Sequence, residues 1–463
     1  MSVEDLYPVE RVRHMPFFYY PTVNTDTDPV TPESCQVFRG ALSAPSGGRK
    51  AILYVHVPFC RTHCSFCFYN INVVKKDETA TRAYVDALLR EMRLYAGTEY
   101  FRDLSIEHVF IGGGTPSMLP DAHLQELLQG LQSHFDLSRV QDFSIEMNLE
   151  TMTASNLEIC KELGVTRVSF GWQTSIPRLR KFLALVPSEE TLFEVKSHLD
   201  RLGYPLIWDI MYALPGQTEE DWQIDLQRSI DLGVACIDVH RTDLVPPAPL
   251  YGLVREGKLK LTSSRDALAQ YREAHRTLTR AGYVVNTFQQ FNRPEVPSAV
   301  SHYGRYYYRS SHDMLALGPG AIGLVADQAY MNERDIGKYV ALASEDDFPL
   351  GCTCPVDEET WQERDFVLGL GQLWSVPKAL LRRPLSEQQQ IGIEKLLRHG
   401  VLEETADEYR LTEDAVGYHF SAANEFVTAR QLGRNVGYIR SMPREIVWNT
   451  SRKRARQGGE LTG

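Results

Sequence analysis

From residue 51 to about residue 290 the sequence repeats one pattern about six times: a short apolar run, then a helical stretch. The runs are "AILYVHVPF" (51–59), "IEHVFIGGG", "DFSIEMN", "RVSFGWQ", "LIWDIMYALP" and "CIDVHRTDL". Between the first two, residues 79–96 place Tyr84, Leu88, Met92 and Tyr95 on one helical face. Thr218 and the acids after it mark the start of a helix that closes on "DLQRSIDLG". Strand and helix in alternation imply a parallel sheet, open or closed into a barrel. In such folds chemistry gathers at the C-terminal ends of the strands. The notable residues fall near there: Cys60 and Gly112 to Gly114 follow their runs, Glu146 with Asn148 and Gln173 end theirs, Asp209 lies on the fifth shortly before Tyr212, and Asp243 follows the sixth. Unrelated segments therefore point at one rim.

Flanking segments complete the expected organisation. Residues 1–50 read as an extended N-terminal extension, and 51–290 as the barrel. Residues 291–354 read as a connection carrying a Gly-Pro-Gly loop, and 355–445 as a mostly helical domain with a helix–hairpin–helix, winged-helix look. The aromatic run "HYGRYYYR" (302–309) reads as strand aromatics or as a surface that stacks a planar substrate. Residues 446–463, with "RKRAR" at 452–456, read as a flexible basic tail.

The first strand runs into "FCRTHCSFCFYN", where Cys60, Cys64 and Cys67 have the spacing C-x3-C-x2-C. Three readings compete: zinc, a disulfide framework, or an iron–sulfur cluster. Zinc favours two Cys pairs or Cys with His, which leaves His63 as a fourth ligand inside a cramped loop. Disulfide frameworks belong to small secreted chains, not to one of 463 residues. A thiolate-held cluster fits the spacing best, with one iron left without a protein ligand. Cys160 and Cys236 read as buried small residues, and "GCTC" (Cys352, Cys354) as a weak second metal candidate. The net charge of −11 argues against nucleic-acid binding. No apolar run approaches the roughly 20 residues of a membrane span, and the N-terminus lacks a signal-peptide pattern. A reducing cytoplasm is the expected compartment.

"YVHVPFCRTHCSFC" followed by "IGGGTPSML" resembles the radical S-adenosylmethionine superfamily. More narrowly, the chain resembles its oxygen-independent coproporphyrinogen III oxidase-like group, with counterparts of "SIEMN", "RVSFGWQ", "DIMYALPGQT", "PLYGLVREGKLKL" and "LALGPGAIG" across about residues 50–430. The resemblance implies an α/β fold, a partial (β/α)6 TIM-like barrel with a mostly helical, winged-helix-like C-terminal domain. It implies a [4Fe-4S] cluster on Cys60, Cys64 and Cys67 whose open iron takes S-adenosylmethionine. Cleavage of that molecule then yields a 5′-deoxyadenosyl radical. Tyr54 matches a tyrosine near the sulfonium. Phe66, Gly112, Gly113, Gly114, Thr115, Glu146, Gln173 and Asp209 match cofactor-binding positions. Tyr54, Gln173 and Asp209 are the expected catalytic residues. Phe59, Phe66 and Phe68 are expected to cover the cluster.

Departures from the group cluster where substrate should sit. Tyr69 replaces a cysteine, Leu185 replaces an arginine, "NTFQQFN" (286–292) replaces the usual segment, and Ile322 replaces a histidine. Arg178 or Arg180 is the expected substitute for the arginine. The methylating branch of the family is the expected one. It uses two S-adenosylmethionine molecules to C-methylate or cyclopropanate an sp2 carbon of an unsaturated or aromatic small molecule. Alternatives are a tetrapyrrole enzyme (coproporphyrinogen III decarboxylation or anaerobic haem opening) and a haem-binding chaperone with His302 or His312 as axial ligand. Expected partners are the small-molecule substrate, an electron donor such as flavodoxin or ferredoxin, and a methyltransferase acting on the intermediate, with no nucleic acid and no membrane.

Overall fold

The computed structural model describes residues 3–9, 19–73, 78–243, 248–345 and 347–441. The basic tail expected at 446–463 lies outside these residues, as do parts of the first fifty. Strands β1 (Lys50–Val57), β2 (Ser105–Gly113), β3 (Asp142–Met147), β4 (Arg167–Gln173), β5 (Ile207–Tyr212) and β6 (Cys236–Arg241) lie side by side, all parallel. Each is followed by a helix: α1 (Glu78–Ala96), α2 (Asp121–His134), α3 (Ala154–Glu162), α4 (Glu189–Leu202), α5 (Glu219–Asp231) and α6 (Ser264–Arg280). The six strand–helix units form the expected parallel α/β sheet of a partial TIM-like barrel.

Local chemistry explains the helix starts. Thr153 with Asn156, and Thr218 with Asp221, close reciprocal capping boxes on α3 and α5. The strands are buried over most of their length, as parallel strands covered on both faces must be. Helix α1 turns Tyr84, Leu88, Met92 and Tyr95 into the core, as its spacing predicts.

The segment expected as a mere connection instead enlarges the sheet. After β7 (Val284–Val285) and β8 (Gln290–Asn292) come β9 (His312–Leu317), β10 (Ile322–Val325), β11 (Gln328–Asn332) and β12 (Leu350–Pro355). The sheet order is β12-β11-β10-β9-β1-β2-β3-β4-β5-β6-β8-β7. Strand β9 pairs parallel with β1, and β10 to β12 follow as an antiparallel meander. These strands cover the β1 edge, which would otherwise expose unpaired backbone groups.

Two further differences concern the flanks. The N-terminal segment holds a ten-residue helix, Pro32–Ala41, started by a Thr31–Ser34 capping box with proline at its first position. Tyr7 and Tyr20 are buried in the core of the C-terminal region, alongside Phe366, Tyr409 and Phe426. "HYGRYY" is a short helix, α7 (His302–Tyr307), and not a strand. Ser301 caps it through the Gly304 amide. The C-terminal region has the expected winged-helix look: Glu387–Arg398 is a helix, followed by the hairpin Leu402–Glu404 and Glu408–Leu411.

Candidate active site

Strand β1 delivers the chain into the cysteine loop at the C-terminal rim of the sheet. The loop is closed where Phe59 and Cys60 pair with Asn72 and Val73. Inside it the Cys67 amide donates to the Cys64 carbonyl at 3.1 Å. Cys60, Cys64 and Cys67 all line one cavity of about 390 Å³. His63 does not line it; its Nε2 lies 3.1 Å from the Cys67 carbonyl oxygen. Burial pushes the Cys60 thiol up to about 11 and Cys64 to about 12, and drives Cys67 well above its ordinary value, with neighbouring thiols adding to the latter two. Three half-buried thiols that resist ionisation alone fit a cationic group that would compensate them. Sulfur donors of this number and softness suit iron–sulfur binding.

The end of β2 leaves room beside that loop. A Cβ on Gly114 would lie 2.7 Å from the Phe59 carbonyl oxygen, 2.8 Å from that of Val57 and 3.1 Å from Cys60 Sγ. Gly113 has φ +105° and a Cβ there would strike the His56 ring. Thr115 follows, with Oγ1 3.4 Å from Cys60 Sγ. Gly113, Gly114 and Thr115 line the cavity; Gly112 sits one residue behind, against the Phe110 ring.

The barrel interior supplies charge. Glu146, Gln173 and Asp209 line the same cavity, as does Tyr54. So do residues the sequence reading passed over: Arg167, Asp238, His240, Arg241 and Gln289. The overlooked signal is alternation on single strands: Arg167, Ser169, Gly171 and Gln173 on β4, and Asp238 with His240 on β6, line the cavity at every second position. Ligand atoms of Asp209, Asp238 and His240 lie within 4.8 Å of one another. Burial raises the Glu146 carboxyl to about 7, with Asp238 adding to it and Arg167 opposing. Asp209 is raised well above its ordinary range by burial and then by Glu146 and Asp238. Such close acids share protons as a set. Gln289 Nε2 lies 2.9 Å from His240 Nδ1, and His240 Nε2 is 3.8 Å from Asp209. If Gln289 donates, the imidazole proton sits on Nε2, facing Asp209. Gln173 holds φ +69°, and its side chain folds over Gly171, where a Cβ would meet it at 2.1 Å.

Aromatic rings form a wall. Tyr54 and Phe110 stack at 6.0 Å, Phe110 and Tyr303 at 4.9 Å, and all three line the cavity. The Tyr54 hydroxyl bonds His56 Nδ1 at 2.9 Å. Phe66 and Phe68 line the cavity beside the cysteines. Phe59 does not: it is buried in the core against Tyr84. From the C-terminal region, Gly417, His419 and Phe420 complete the lining next to Tyr271 and Phe288. His419 is held neutral, near 3, by burial.

Other expectations resolve here. Leu185 lines the cavity, but neither candidate for the missing arginine does. Arg178 pairs with Asp221, and Arg180 stacks on Trp172 at 3.9 Å while donating to three carbonyls. The cavity's arginines are Arg61, Arg167 and Arg241. His302 and His312 are absent from the lining, and His312 is buried against Glu107. Cys160 and Cys236 are buried, as expected. Cys352 and Cys354 are buried too, and Arg434 contacts Cys354.

A three-cysteine loop at the rim of a parallel α/β barrel, with a glycine-lined cavity beside it, suits an iron–sulfur cluster with a small cofactor bound next to it. Residues 54–228 match the Radical SAM superfamily. The chain's fold matches the structure of coproporphyrinogen III oxidase (HemN) from Escherichia coli with a TM-score of 0.73 at 21% identity, over 89% of this chain and 97% of that one. In sequence it is 27% identical over 310 residues to anaerobilin synthase of Escherichia coli O157:H7, covering 66% of this chain and 68% of that one. It is 27% identical over 330 residues to the heme chaperone HemW of Bacillus subtilis, covering 70% and 84%. Oxygen-independent coproporphyrinogen III oxidase of Salmonella typhimurium is 28% identical over 301 residues, covering 63% and 65%. None of these four relatives is named as a methyltransferase or a cyclopropane-forming enzyme, so they offer no support for the activity expected from the sequence. The cysteine and glycine motifs are common to that chemistry and to the tetrapyrrole alternative, so they could not decide between them. No helix among the described residues is long and apolar enough to cross a membrane.

Proposed function

We propose that this protein is a radical S-adenosylmethionine enzyme acting on a tetrapyrrole. One observation carries the reading: the cavity that begins at the three cysteines continues along the stacked wall of Tyr54, Phe110 and Tyr303 to an aromatic end at Phe288, His419 and Phe420. Flat rings suit a macrocycle by offset stacking. Arg241 and Arg61 line the cavity and stand where side-chain carboxylates of such a substrate can be met. The names of the relatives point the same way. A second S-adenosylmethionine is not part of this proposal.

Cys60, Cys64 and Cys67 would hold the cluster. When bound, cluster and S-adenosylmethionine together supply a 5′-deoxyadenosyl radical on receipt of one electron, from a donor such as flavodoxin or ferredoxin. The chain does the rest. Gly113 and Gly114 let backbone approach the cofactor, and Thr115 offers a hydroxyl to Cys60 sulfur. Glu146, Gln173 and Asp209 hold the cofactor's hydroxyl and amino groups. Phe66, Phe68 and Tyr54 exclude water from the reacting region. His240, through Nε2, holds a proton beside the substrate, with Asp238 lining the same cavity.

The test is anaerobic incubation of reconstituted protein with S-adenosylmethionine, a reductant, and either coproporphyrinogen III or haem. Consumption of one tetrapyrrole with stoichiometric 5′-deoxyadenosine is expected. Formation of 5′-deoxyadenosine with both tetrapyrroles unchanged refutes the substrate class while leaving the enzyme class intact.

A further inference from the structure

Opposite the cysteine loop, at the N-terminal ends of β1, β2 and β9, three side chains converge that the chemistry above does not use. Glu107 and His108 come from β2 and His312 from the first position of β9. One ligand atom from each lies within 4.8 Å of the other two. They are 8%, 0% and 6% exposed.

Glu107 and His108 are neighbours in a strand, so their side chains should alternate between faces. The pairing of β1 with β2 shifts register between Ala51 and Ile52, and Glu107 falls opposite that irregularity. A bulge of this kind re-aims side chains. Here it brings two consecutive residues to bear on one point.

His108 supplies the second observation. Both its ring nitrogens are buried and make no hydrogen bond. It stacks with Tyr306, at 4.8 Å, and with His302, at 5.6 Å, contacts that hold the ring without satisfying its nitrogens. An unpaired buried polar group is costly and calls for a partner. His312 is already oriented: Nδ1 is 2.9 Å from Ser311 Oγ and Nε2 faces Glu107 Oε2 at 3.2 Å. A hydroxyl on the far nitrogen is the usual support for a ligating imidazole. Lys50 Nζ bridges both carboxylate oxygens of Glu107, Oε1 at 2.9 Å and Oε2 at 3.3 Å, but its side chain is 55% exposed and can swing out to solvent.

We propose that Glu107, His108 and His312 form a binding site for a divalent first-row transition-metal ion, separate from the cluster. Two imidazoles and one carboxylate suit zinc, iron(II) or manganese(II). The ion would tie β2 to β9 across β1, beside α7, whose His302 and Tyr306 stack on His108 and which carries Tyr303 into the cavity wall.

The test uses full-length protein with its cluster reconstituted anaerobically, so that the three cysteines are occupied. Zinc(II) is added, excess is removed by desalting, and zinc, iron and acid-labile sulfide are measured. The expected result is one retained zinc per chain, or its place already taken by iron in excess of sulfide. His108→Phe and Glu107→Gln should each lose that equivalent with sulfide unchanged, and Lys50→Met should retain it more tightly. Zinc should raise the melting temperature of the wild type but not of Glu107→Gln, a readout that holds even where His108→Phe does not fold. No retained metal in the wild type, or equal retention in the variants, overturns the proposal and leaves a buried water as the partner of His108. Neither result bears on the tetrapyrrole reading.

Discussion

Substituting alanine in turn at Gly112, Gly113 and Gly114 should separate three kinds of glycine requirement in one strand end. At Gly114 the added methyl would stand 2.7 and 2.8 Å from two backbone oxygens, against 3.4 Å or more in ordinary contact. The Val57 carbonyl is held in β1 and that of Phe59 at the base of the cysteine loop, so the loop itself must move by roughly half an ångström or more. Forced overpacking of this kind costs about 1–3 kcal/mol, or about 5- to 150-fold in an equilibrium constant. The displacement falls on Cys60, 3.1 Å from the same methyl. At Gly113 the penalty has two sources: a backbone angle of +105° foreign to L-residues, about 1–3 kcal/mol, and a methyl 2.5 Å from His56 Nδ1. At Gly112 the obstacle is the edge of the Phe110 ring at 2.7 Å, a side chain that can rotate. Iron and sulfide content after anaerobic reconstitution, with 5′-deoxyadenosine formation as second readout, should therefore fall strongly in Gly114→Ala and Gly113→Ala and least in Gly112→Ala. Circular dichroism checks that each variant is folded. A folded Gly114→Ala that carries a full cluster and cleaves S-adenosylmethionine normally would refute the steric reasoning and the placement of the site.

Arg180→Leu should lower the melting temperature, since each lost charge-assisted bond to a carbonyl is worth about 1.5–3 kcal/mol, without changing KM for S-adenosylmethionine. A raised KM with unchanged stability would make Arg180 a cofactor ligand after all. Tyr303→Leu should raise KM for the tetrapyrrole by roughly 2- to 10-fold, the worth of one aromatic pair, while leaving substrate-free 5′-deoxyadenosine formation unchanged. Glu91 is buried and accepts from the Gly318 amide, Asn332 and Tyr339. Burial still raises it from 4.5 to about 7. The folded state thus holds this proton more tightly than the unfolded chain. Its contribution to stability is full below pH 4.5 and is lost as pH rises through about 7. Denaturation of wild type against Glu91→Gln should show wild type losing ground between those pH values and no further change above; a flat difference would contradict the raised value.

How much was legible beforehand depended on how local the cause was. The six strands and their helices were readable because apolar runs and capping residues act within a few positions; Tyr84, Leu88, Met92 and Tyr95 needed only helical periodicity. Cys60, Cys64 and Cys67 announced themselves by spacing, and Glu146, Gln173 and Asp209 by ending their strands or lying on them. The helix over 302–307 was not readable, because six residues carry too little periodic signal against a β-like aromatic composition. Nor was the role of 291–354 in the sheet, since an edge strand is recognised by what it pairs with, and His312 meets Lys50 from 262 positions away.

The cavity was a tertiary product. Arg167, Asp238, His240 and His419 meet there only because barrel curvature points alternate residues of separate strands inward and the C-terminal region closes over them. Leu185 signalled a missing arginine, but only packing showed Arg180 committed to Trp172. The sequence alone determined the strand–helix repeat and the three-thiol loop, because backbone propensity and short-range ligand spacing are local properties. The folded chain decided which charges share the cavity, which rings form its wall and where His108 is left without a partner, because proximity between residues distant in sequence is set by the packing of the whole sheet.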